Sequence, residues 1–445
     1  MTEAPGESLP KQCASWSDLK AAYRLLSNEA VEAHAIQQPH RQQTLAACDR
    51  HPVVLCVQDT TPIDLTRQTT MRGRGQLGGG TTQGLLQHTA LALVPADQKA
   101  DLDQPGGQRL GLLHTRWHRR TVTAAGQTLR QLQARRTAAD VWLETASAVD
   151  ELGDTSARLI HVGDRHCDLF RFFAHVNQLG HGFVVRAMHD RMLPRDSSDD
   201  PSLPGRLFET LEAQPIACHQ TLTIHEQRTL KGQVRCPKRS VTLAIRYAAV
   251  TLPPPKNDPR TQGVDPLRAY GLYAVEQGVT GDRTPVSWVL LTSEPVTCEA
   301  DALRIIRYYR HRWVIEEWHR VLKEGCRLES AHFDDVADVQ RLAAIKAVIA
   351  VRLLQLRDLA DRAGDNPQAL RAWVPATWIQ IAAALSSCKP DDLTTRQFWL
   401  AVAKRGGYLA RKHDPRPGWR AIWKGWYDIQ CMAQGIQLMA QIKCG

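Results

Sequence analysis

The sequence predicts a mixed α/β fold with a β-rich middle segment and a helical C-terminal region, and three observations support this. Short apolar, β-branched runs alternate with amphipathic segments up to about residue 193. Alternating β-type runs, broken by prolines and charged turns, follow between Pro194 and Pro285. After the run W-V-L-L at 288–291 the pattern is predominantly helical, with breaks at Pro390 and 415–418.

Two aspartates are predicted to meet at one edge of a sheet. Residues 53–58, V-V-L-C-V-Q, are typical of a strand buried on both faces, and Asp59 follows at its end. The later elements are strands at 85–94 and 109–118, a helix at about 138–152, a strand at 158–163 closed by Asp164, a helix at 168–179 and a strand at 182–188. This order makes the first and fourth strands parallel neighbours through a crossover.

A glycine-rich segment between the first two strands resembles a dinucleotide-binding fingerprint through Gly73, Gly75 and Gly78. That fingerprint requires a following helix, whose N-terminus holds the pyrophosphate. A strand is predicted here instead, so we reject a dinucleotide site.

A polar stripe is predicted on a single helix from Tyr309 to Lys323. Its members, at offsets 0, 3, 7, 11 and 14, are Tyr309, Arg312, Glu316, Arg320 and Lys323. At about 100° per residue they fall within roughly 80° of one another. Ile315, Trp318 and Leu322 form an opposite apolar face. Solvated i,i+4 ion pairs, worth about 0.3 to 0.5 kcal/mol each, are the alternative interpretation.

Three carboxylates, Asp59, Asp164 and Glu316, therefore form a candidate metal site. Oxygen ligands without accompanying His or Cys clusters favour Mg²⁺ or Mn²⁺ over zinc. Two such ions suit in-line phosphoryl transfer. For each aspartate alone, a turn or cap role is the alternative.

The composition favours an anionic binding partner and a compartment in which the cysteines stay reduced. The chain has 56 basic and 46 acidic residues, a net charge of +10, which favours nucleic acid weakly. Eleven scattered cysteines without a C-x-x-C pair predict neither a zinc cage nor a disulfide framework. The N-terminus lacks a basic, apolar leader, and no apolar run reaches 18 residues. We expect a cytoplasmic protein.

The spacing Tyr309, Arg312, Glu316 and Lys323 reproduces the Tyr-Arg-Glu-Lys signature of a known family. The chain resembles the bacterial DDE transposases of the insertion sequence four family, which includes the transposase of transposon five. Further matching motifs are Q-D-T-T around Asp59, G-D-R-H-C-D around Asp164, G-L-L-Q-H-T-A-L-A from Gly84, W-V-L-L-T-S-E-P from Trp288, A-V-R-L-L-Q-L-R at 350–357 and the C-terminal G-W-R-A-I-W-K-G-W.

The resemblance implies an RNase H-like mixed-sheet core with a β-rich insertion. The expected segments are a partial N-terminal DNA-binding region at 1–52, the core at 53–193 and 288–365, the insertion at 194–287 and a helical dimerisation region at 366–445. It also implies a Mg²⁺-dependent catalytic triad of Asp59, Asp164 and Glu316, with Mn²⁺ able to substitute. A homodimer in a synaptic complex would bind terminal inverted repeats and target DNA.

The same resemblance implies a reaction order and DNA contacts. Water nicks the element end, the freed 3′-hydroxyl closes a hairpin, a second water opens it, and the hydroxyl then attacks target DNA. The expected DNA-binding residues are Trp288, which would stack on a flipped base, and Tyr309, Arg312, Arg320 and Lys323, on the phosphates.

Two departures from the family leave alternatives open. His166 stands where related chains have glutamate, next to Asp164. The segment A-A-Y-R-L-L-S-N at 21–28 resembles only the latter part of the family's end-binding region. A non-catalytic inhibitor acting through mixed dimers, and a structure-specific nuclease on the same core, are therefore the alternative functions.

Overall fold

The fold is described from a computed structural model. It covers residues 5–78, 80–96, 107–119, 139–194, 205–224, 227–228, 234–236, 239–279, 284–372, 374–412, 414 and 416–444. The chain divides into two compact units. The core unit comprises Gln37–His319 and Asp334–Val336, and the second unit comprises Met1–Ile36, Arg320–Phe333 and Ala337–Gly445.

A mixed sheet forms the centre of the core unit. In the described part of the chain its ten strands are β1 (Val53–Asp64), β2 (Gly75–Gln76), β3 (Gln83–Val94), β4 (Gln108–His118), β5 (Arg158–Gly163), β6 (Gly182–Arg186), β7 (Cys218–Ile224), β10 (Arg239–Leu252), β11 (Leu267–Glu276) and β12 (Ser287–Thr292). The short strands β8 (Gln227–Arg228) and β9 (Val234–Cys236) pair separately. The order is β2-β3-β1-β5-β6-β12-β11-β10-β7, and β4 also pairs with β3.

The predicted parallel pairing is confirmed. Strand β1 runs parallel to β5, and β5 runs parallel to β6, whereas the remaining ladders are antiparallel. The strand that follows the glycine-rich segment, β3, also agrees with the rejection of a dinucleotide site. Strands β7, β10 and β11 of the β-rich segment extend the same sheet through β12, so they do not form a sheet of their own.

Strand β1 is longer than predicted, and this corrects the placement of Asp59. Its antiparallel ladder with β3 continues to the pair Asp64 and Gly84. Its parallel ladder with β5 ends earlier, at Val57 and Val162. Asp59 therefore lies inside a strand, just beyond the end of the parallel ladder. The antiparallel partner sustains the strand where the sequence pattern turns polar.

Helices cover the sheet and bury an aromatic core. The described helices of the core unit are Asp140–Asp150, Phe170–Gln178, Leu207–Glu212, Glu299–Arg310 and most of Ala33–Cys48 and Trp313–Arg320. Trp142 and Phe172, on helices Asp140–Asp150 and Phe170–Gln178, and Phe183, on β6, belong to one cluster of buried residues. The ring of Phe183 stacks on Phe173 with a centroid distance of 4.5 Å.

The single helix predicted from Tyr309 to Lys323 is interrupted twice, which corrects the sequence analysis. One helix ends at Arg310 and the next begins at Trp313. Between them, N–H groups bond carbonyls three residues back, as from Arg312 to Tyr309 at 3.0 Å. The second helix, Trp313–Arg320, is called here the glutamate helix, and a π-helical turn, Val321–Gly325, follows it. The spacing of 100° per residue therefore does not extend to Lys323.

The second unit is helical in the residues described. Its helices are Leu9–Gln12, Trp16–Leu26, Val336–Asp361 from its second residue, Pro367–Arg371, Ala376–Leu385, Thr395–Arg405 and Trp419–Cys444. Trp426 stacks on Trp399 at 5.5 Å and packs against Trp378 at 4.6 Å. Trp426 therefore packs the last helix against two neighbouring helices of this unit.

The nine cysteines whose side chains are described are all free thiols. No helix among the described residues is long and apolar enough to cross a membrane.

A close approach between helix Ala33–Cys48 and β4 gives a prediction about stability. A Cβ on Gly111 would lie 2.0 Å from Thr44 Oγ1 and 2.9 Å from His40 Nε2. Gly111→Ala should therefore lower the free energy of unfolding by about 1 to 3 kcal/mol, the usual cost of overpacking. Gly78→Ala is the control, since a Cβ there has no atom of the described residues within 4 Å, apart from its chain neighbours. Equal stability of the two variants in urea denaturation would contradict this packing.

Candidate active site

The register of two parallel strands aligns the two aspartates. Val57 is paired with Val162, so Asp59 and Asp164, each two residues further on, occupy corresponding positions beyond the ladder. Side chains two residues apart on a strand share a face. Asp164 caps the short turn Arg165–Cys167, and its Oδ1 accepts a hydrogen bond from the His166 backbone N–H at 2.9 Å. Sequence reasoning predicted this proximity, and the structure agrees.

The buried apolar face of the glutamate helix fixes the orientation of this helix and thereby the position of Glu316. Ile315 and Trp318 are completely buried, as predicted. The adjacent Glu317 lies on a different side, where its Oε2 accepts a hydrogen bond of 2.6 Å from Arg109 Nη2 on β4. This buried ion pair anchors the helix to the sheet and leaves Glu316 directed elsewhere.

Arg312 connects two of the three carboxylates. Its Nη2 donates to Glu316 Oε1 at 2.5 Å, and its Nη1 lies 3.7 Å from Asp59 Oδ2. The side chains of Arg312 and Asp59 are each only 19% exposed, so this contact is shielded from solvent. Burial by itself lowers the pKa of Arg312, but the Glu316 and Asp59 carboxylates raise that pKa above its usual value.

Asp59 is the electrostatically strained member of the group. Burial, followed by the negative charge of Asp164, raises its pKa to about 6. A hydrogen bond from the Thr60 backbone N–H at 2.7 Å and the charge of Arg312 lower this pKa, while Glu316 raises it. Asp59 thus interacts electrostatically with both of the other carboxylates, which joins all three in one site.

The donor chemistry of this group fits a divalent cation. Three carboxylates supply hard oxygen ligands, and a cation would offset the charge of Asp164 that, after burial, raises the pKa of Asp59. The described residues contain no set of three His, Cys, Asp or Glu side chains already in metal-binding geometry. Instead, Glu316 is held by Arg312, so we infer that the carboxylates adjust around an ion rather than preform its cage.

Tyr309 and Trp288 lie together beside this site. Their ring centroids are 5.8 Å apart at an angle of 63°. Tyr309 is 7% exposed, and burial raises the pKa of its phenol although Arg312 and Arg186 lower it. Arg186, at the end of β6, also hydrogen-bonds the Tyr309 side chain and donates to the Ser287 carbonyl at 3.0 Å.

Two predicted DNA-binding residues belong to the second unit. Arg320 is exposed at the end of the glutamate helix. Lys323 follows on the π-helical turn, where its Nζ lies 3.4 Å from Glu329 Oε1. Their roles stay predictions.

Sequence reasoning missed two side chains that contact site residues. Arg186 hydrogen-bonds the side chain of Tyr309. The sequence signal that could have identified Arg186 was an arginine at the end of β6, the strand next to β5, which precedes Asp164. His166 was noted only as a departure from the family. In the structure its Nδ1 lies 2.9 Å from Asp164 Oδ2, so it touches the aspartate directly.

The raised pKa of Asp59 predicts a pH-dependent cost to stability. The folded protein binds the proton more tightly than the unfolded chain, whose aspartate titrates near 3.8. The cost is therefore complete above about pH 6 and disappears as the pH falls toward 4. With chelator present, Asp59→Asn should raise the free energy of unfolding at pH 8 by about 3 kcal/mol, and hardly at pH 4.

Asp49→Asn is the matched control, because a hydrogen bond from Thr155 lowers the pKa of that carboxyl. It should give no gain at pH 8. Denaturant titrations at the two pH values measure both variants, and a pH-independent effect of Asp59→Asn would contradict the electrostatic interpretation.

Comparison with protein families agrees with this arrangement. Residues 1–31 match the model described as Transposase DNA-binding. This matched segment lies within the predicted region 1–52, so it supports DNA binding there and does not favour the inhibitor.

Residues 121–352, just over half of the chain, match the model described as Transposase DDE domain. Asp164 and Glu316 lie inside that range and Asp59 precedes it. The mixed α/β sheet fits the RNase H-like fold of such domains, which use divalent metal ions to cleave DNA and transfer its strands. The chain belongs to the DDE transposase family.

Proposed function

We propose that the protein is a Mg²⁺-dependent, cut-and-paste transposase of the insertion sequence four type, similar to the transposase of transposon five. Asp59, Asp164 and Glu316 are its catalytic and metal-binding residues. The single observation that carries this proposal is the shared guanidinium of Arg312, which holds Asp59 and Glu316 beside the register-matched Asp164.

The reaction proposed is a series of attacks on phosphorus. Water attacks the phosphodiester at the element end, and the 3′-oxygen leaves with a proton as a hydroxyl. This hydroxyl attacks the phosphodiester of the opposite strand, displaces the 3′-oxygen of the flanking DNA and closes a hairpin, which a second water opens by attack on the same phosphorus. The regenerated 3′-hydroxyl then attacks target DNA, so no covalent enzyme intermediate forms.

The three carboxylates would hold the divalent ions, which when bound activate the attacking oxygen and stabilise the leaving one. Burial, followed by the charge of Asp164, raises the pKa of Asp59, and a bound ion would offset the repulsion between these two carboxylates. Arg312 would pass from Glu316 to a phosphate oxygen, because a guanidinium binds phosphate through two parallel hydrogen bonds. The buried Tyr309 ring would restrict the conformations that the Arg312 side chain can adopt.

Binding of the DNA would involve further parts of the chain. The segment 1–31 would contact the terminal inverted repeats, and Arg320 and Lys323 would bind phosphates beyond the site. Trp288 would stack on a base flipped from the hairpin, where stacking offsets the cost of unpairing. Homodimerisation through 366–445 would bring two element ends into one synaptic complex.

Loss of any of the three carboxylates should abolish end cleavage. We expect Asp59→Ala, Asp164→Ala and Glu316→Ala each to reduce nicking of element-end DNA in Mg²⁺ by more than 100-fold. Removing an outer-shell partner alone costs about 10- to 100-fold. Glu209→Ala, at an exposed carboxylate of helix Leu207–Glu212, is the control. Nicking by all three variants at the parental rate, with gel assays of cleavage and strand transfer, would refute the mechanism.

Arg312→Lys should not be neutral. A lysine keeps the charge but loses the two-pronged geometry, so strand transfer should fall by roughly 10-fold or more, as expected from charged hydrogen bonds of about 1.5 to 3 kcal/mol. Arg158→Lys is the control, because Arg158 pairs with Glu294 at 2.9 Å in a more exposed ion pair. If both exchanges leave the rate constant of strand transfer unchanged, Arg312 does not bind the reacting phosphate.

Trp288 should act after the first nick. Trp288→Ala should slow hairpin formation by about 10-fold or more, since base stacking contributes about 1 to 3 kcal/mol, while leaving first-strand nicking near the parental rate. Trp288→Phe keeps an aromatic face and should retain most of the activity. Equal losses in nicking and hairpin formation would indicate that Trp288 only packs against Tyr309.

A further inference from the structure

A line of hydrogen-bonded polar side chains crosses the core unit from the strand that carries Asp59. We call these six residues the histidine network: Thr60, His88, Gln58, His161, His181 and Asp150. The successive contacts are Thr60 Oγ1 to His88 Nδ1 at 2.7 Å, His88 Nε2 to Gln58 Oε1 at 3.0 Å, Gln58 Nε2 to His161 Nδ1 at 2.6 Å, His161 Nε2 to His181 Nδ1 at 3.1 Å, and His181 Nε2 to Asp150 Oδ1 at 3.5 Å. The network begins beside the site and ends at a carboxylate that is 44% exposed.

The Gln58 amide fixes the direction of the four hydrogen bonds. Its nitrogen can only donate and its oxygen can only accept, so His161 accepts at Nδ1 and His88 donates from Nε2. Neutral His161 then donates from Nε2 to His181 Nδ1, and neutral His181 carries its proton on Nε2, which lies 3.5 Å from Asp150 Oδ1. The Gln58 oxygen in turn accepts from His88 Nε2, and His88 Nδ1 accepts from the Thr60 hydroxyl. One arrangement, with three neutral imidazoles protonated at Nε2, satisfies all five contacts.

Charges around the three imidazoles are consistent with their neutral forms. Burial lowers the pKa of His88 and of His161 well below the usual value, and neighbouring histidines lower both further. Burial also lowers the pKa of His181, against an opposing effect of Asp150 and in concert with Arg158 and His175. A neutral imidazole has one donor and one acceptor, which is what each position of the network requires.

The network meets β1 where that strand loses its parallel neighbour. The ladder to β5 ends at Val57, and the next three residues are Gln58, Asp59 and Thr60. Alternation along a strand directs Gln58 and Thr60 to the face opposite Asp59. Both neighbours of Asp59 are thus held by side-chain hydrogen bonds on that face, and the Thr60 N–H donates to Asp59 Oδ1.

We propose that the histidine network positions Asp59, with Gln58, His88 and His161 as positioning residues at the point of β1 where the parallel ladder to β5 has ended and only the antiparallel ladder to β3 continues. The inference rests on the proposed function for its catalytic consequence. Its structural content, a unidirectional network that immobilises residues 58–60, stands on the hydrogen bonds alone.

Imidazole nitrogen shifts test the direction of the network. In ¹⁵N spectra of the full-length protein near pH 8, His88, His161 and His181 should all be protonated at Nε2, with assignments from single His→Gln variants. Asp150→Asn replaces the pure acceptor by a group that also donates, so a second tautomer should appear at His181 and also at His161. A proton on Nδ1 of His161 in the parent protein would overturn the proposal.

Kinetics and amide exchange test the positioning role. His161→Phe keeps an aromatic ring against Phe172 but cannot hydrogen-bond. We expect faster hydrogen exchange at the Thr60 amide and a nicking rate constant lower by about 10-fold or more, because small displacements of reacting groups cost rates of that order. Binding of end DNA should be unchanged. His175→Phe removes a nearby imidazole that pairs with Ser147 outside the network, and it should leave both quantities unchanged.

The outcomes separate this inference from the proposed function. If the parent protein does not nick element-end DNA, the proposed function fails, and the tautomers and the exchange rate at Thr60 still decide whether the network exists. If the parent nicks and folded His161→Phe nicks within twofold of it, the positioning role is wrong while the transposase proposal stands. Should His161→Phe fail to fold, the surface variant Asp150→Asn supplies the tautomer and exchange measurements.

Discussion

The parallel register of β1 and β5 is the constraint on which the site depends. Pairing Val57 with Val162 brings Asp59 level with Asp164, although about a hundred residues separate them in the chain. A shift of one residue would turn one aspartate to the opposite face of the sheet. The register is maintained by fully buried apolar side chains on both strands, among them Val54 and Val162. The chemistry of the site is therefore a consequence of core packing.

Closing three carboxylates into one shielded place has an electrostatic cost. At Asp59 this cost adds to that of burial, and the two together raise the pKa of its carboxyl. Arg312 offsets part of this cost by sharing its guanidinium between Asp59 and Glu316. A bound cation would replace Arg312 beside the carboxylates, because it neutralises their charge. A DNA phosphate would replace the carboxylates beside Arg312, because it attracts the guanidinium. Under the proposed function, the ions and DNA that bind this site would stabilise it, and functional sites commonly carry this kind of strain.

The helix is interrupted before and after the glutamate helix, and adjacent residues of this segment have different partners. The tight turn before Trp313 brings Arg312 to Glu316, while Arg109 takes the neighbouring Glu317. On the other face of β1, Gln58 and Thr60 enter the histidine network. In our proposals, one face of this strand carries the metal-binding Asp59 and the opposite face carries the side chains that position it.

The sequence by itself determined the α/β class, the parallel placement of the strands that carry Asp59 and Asp164, the apolar face of Trp318 and the family signature. These follow from local periodicity, from the chirality of crossovers and from residue spacing, all of which act over short stretches of chain. Only the tertiary structure decided that β1 continues through Asp59 and that the predicted helix breaks at Arg312. It also decided that the strands of the β-rich segment extend the core sheet, and that buried histidines connect Gln58 to Asp150. Each of these depends on a partner distant in sequence, and a residue pattern does not specify which distant group will satisfy a strand edge, a helix end or a buried imidazole.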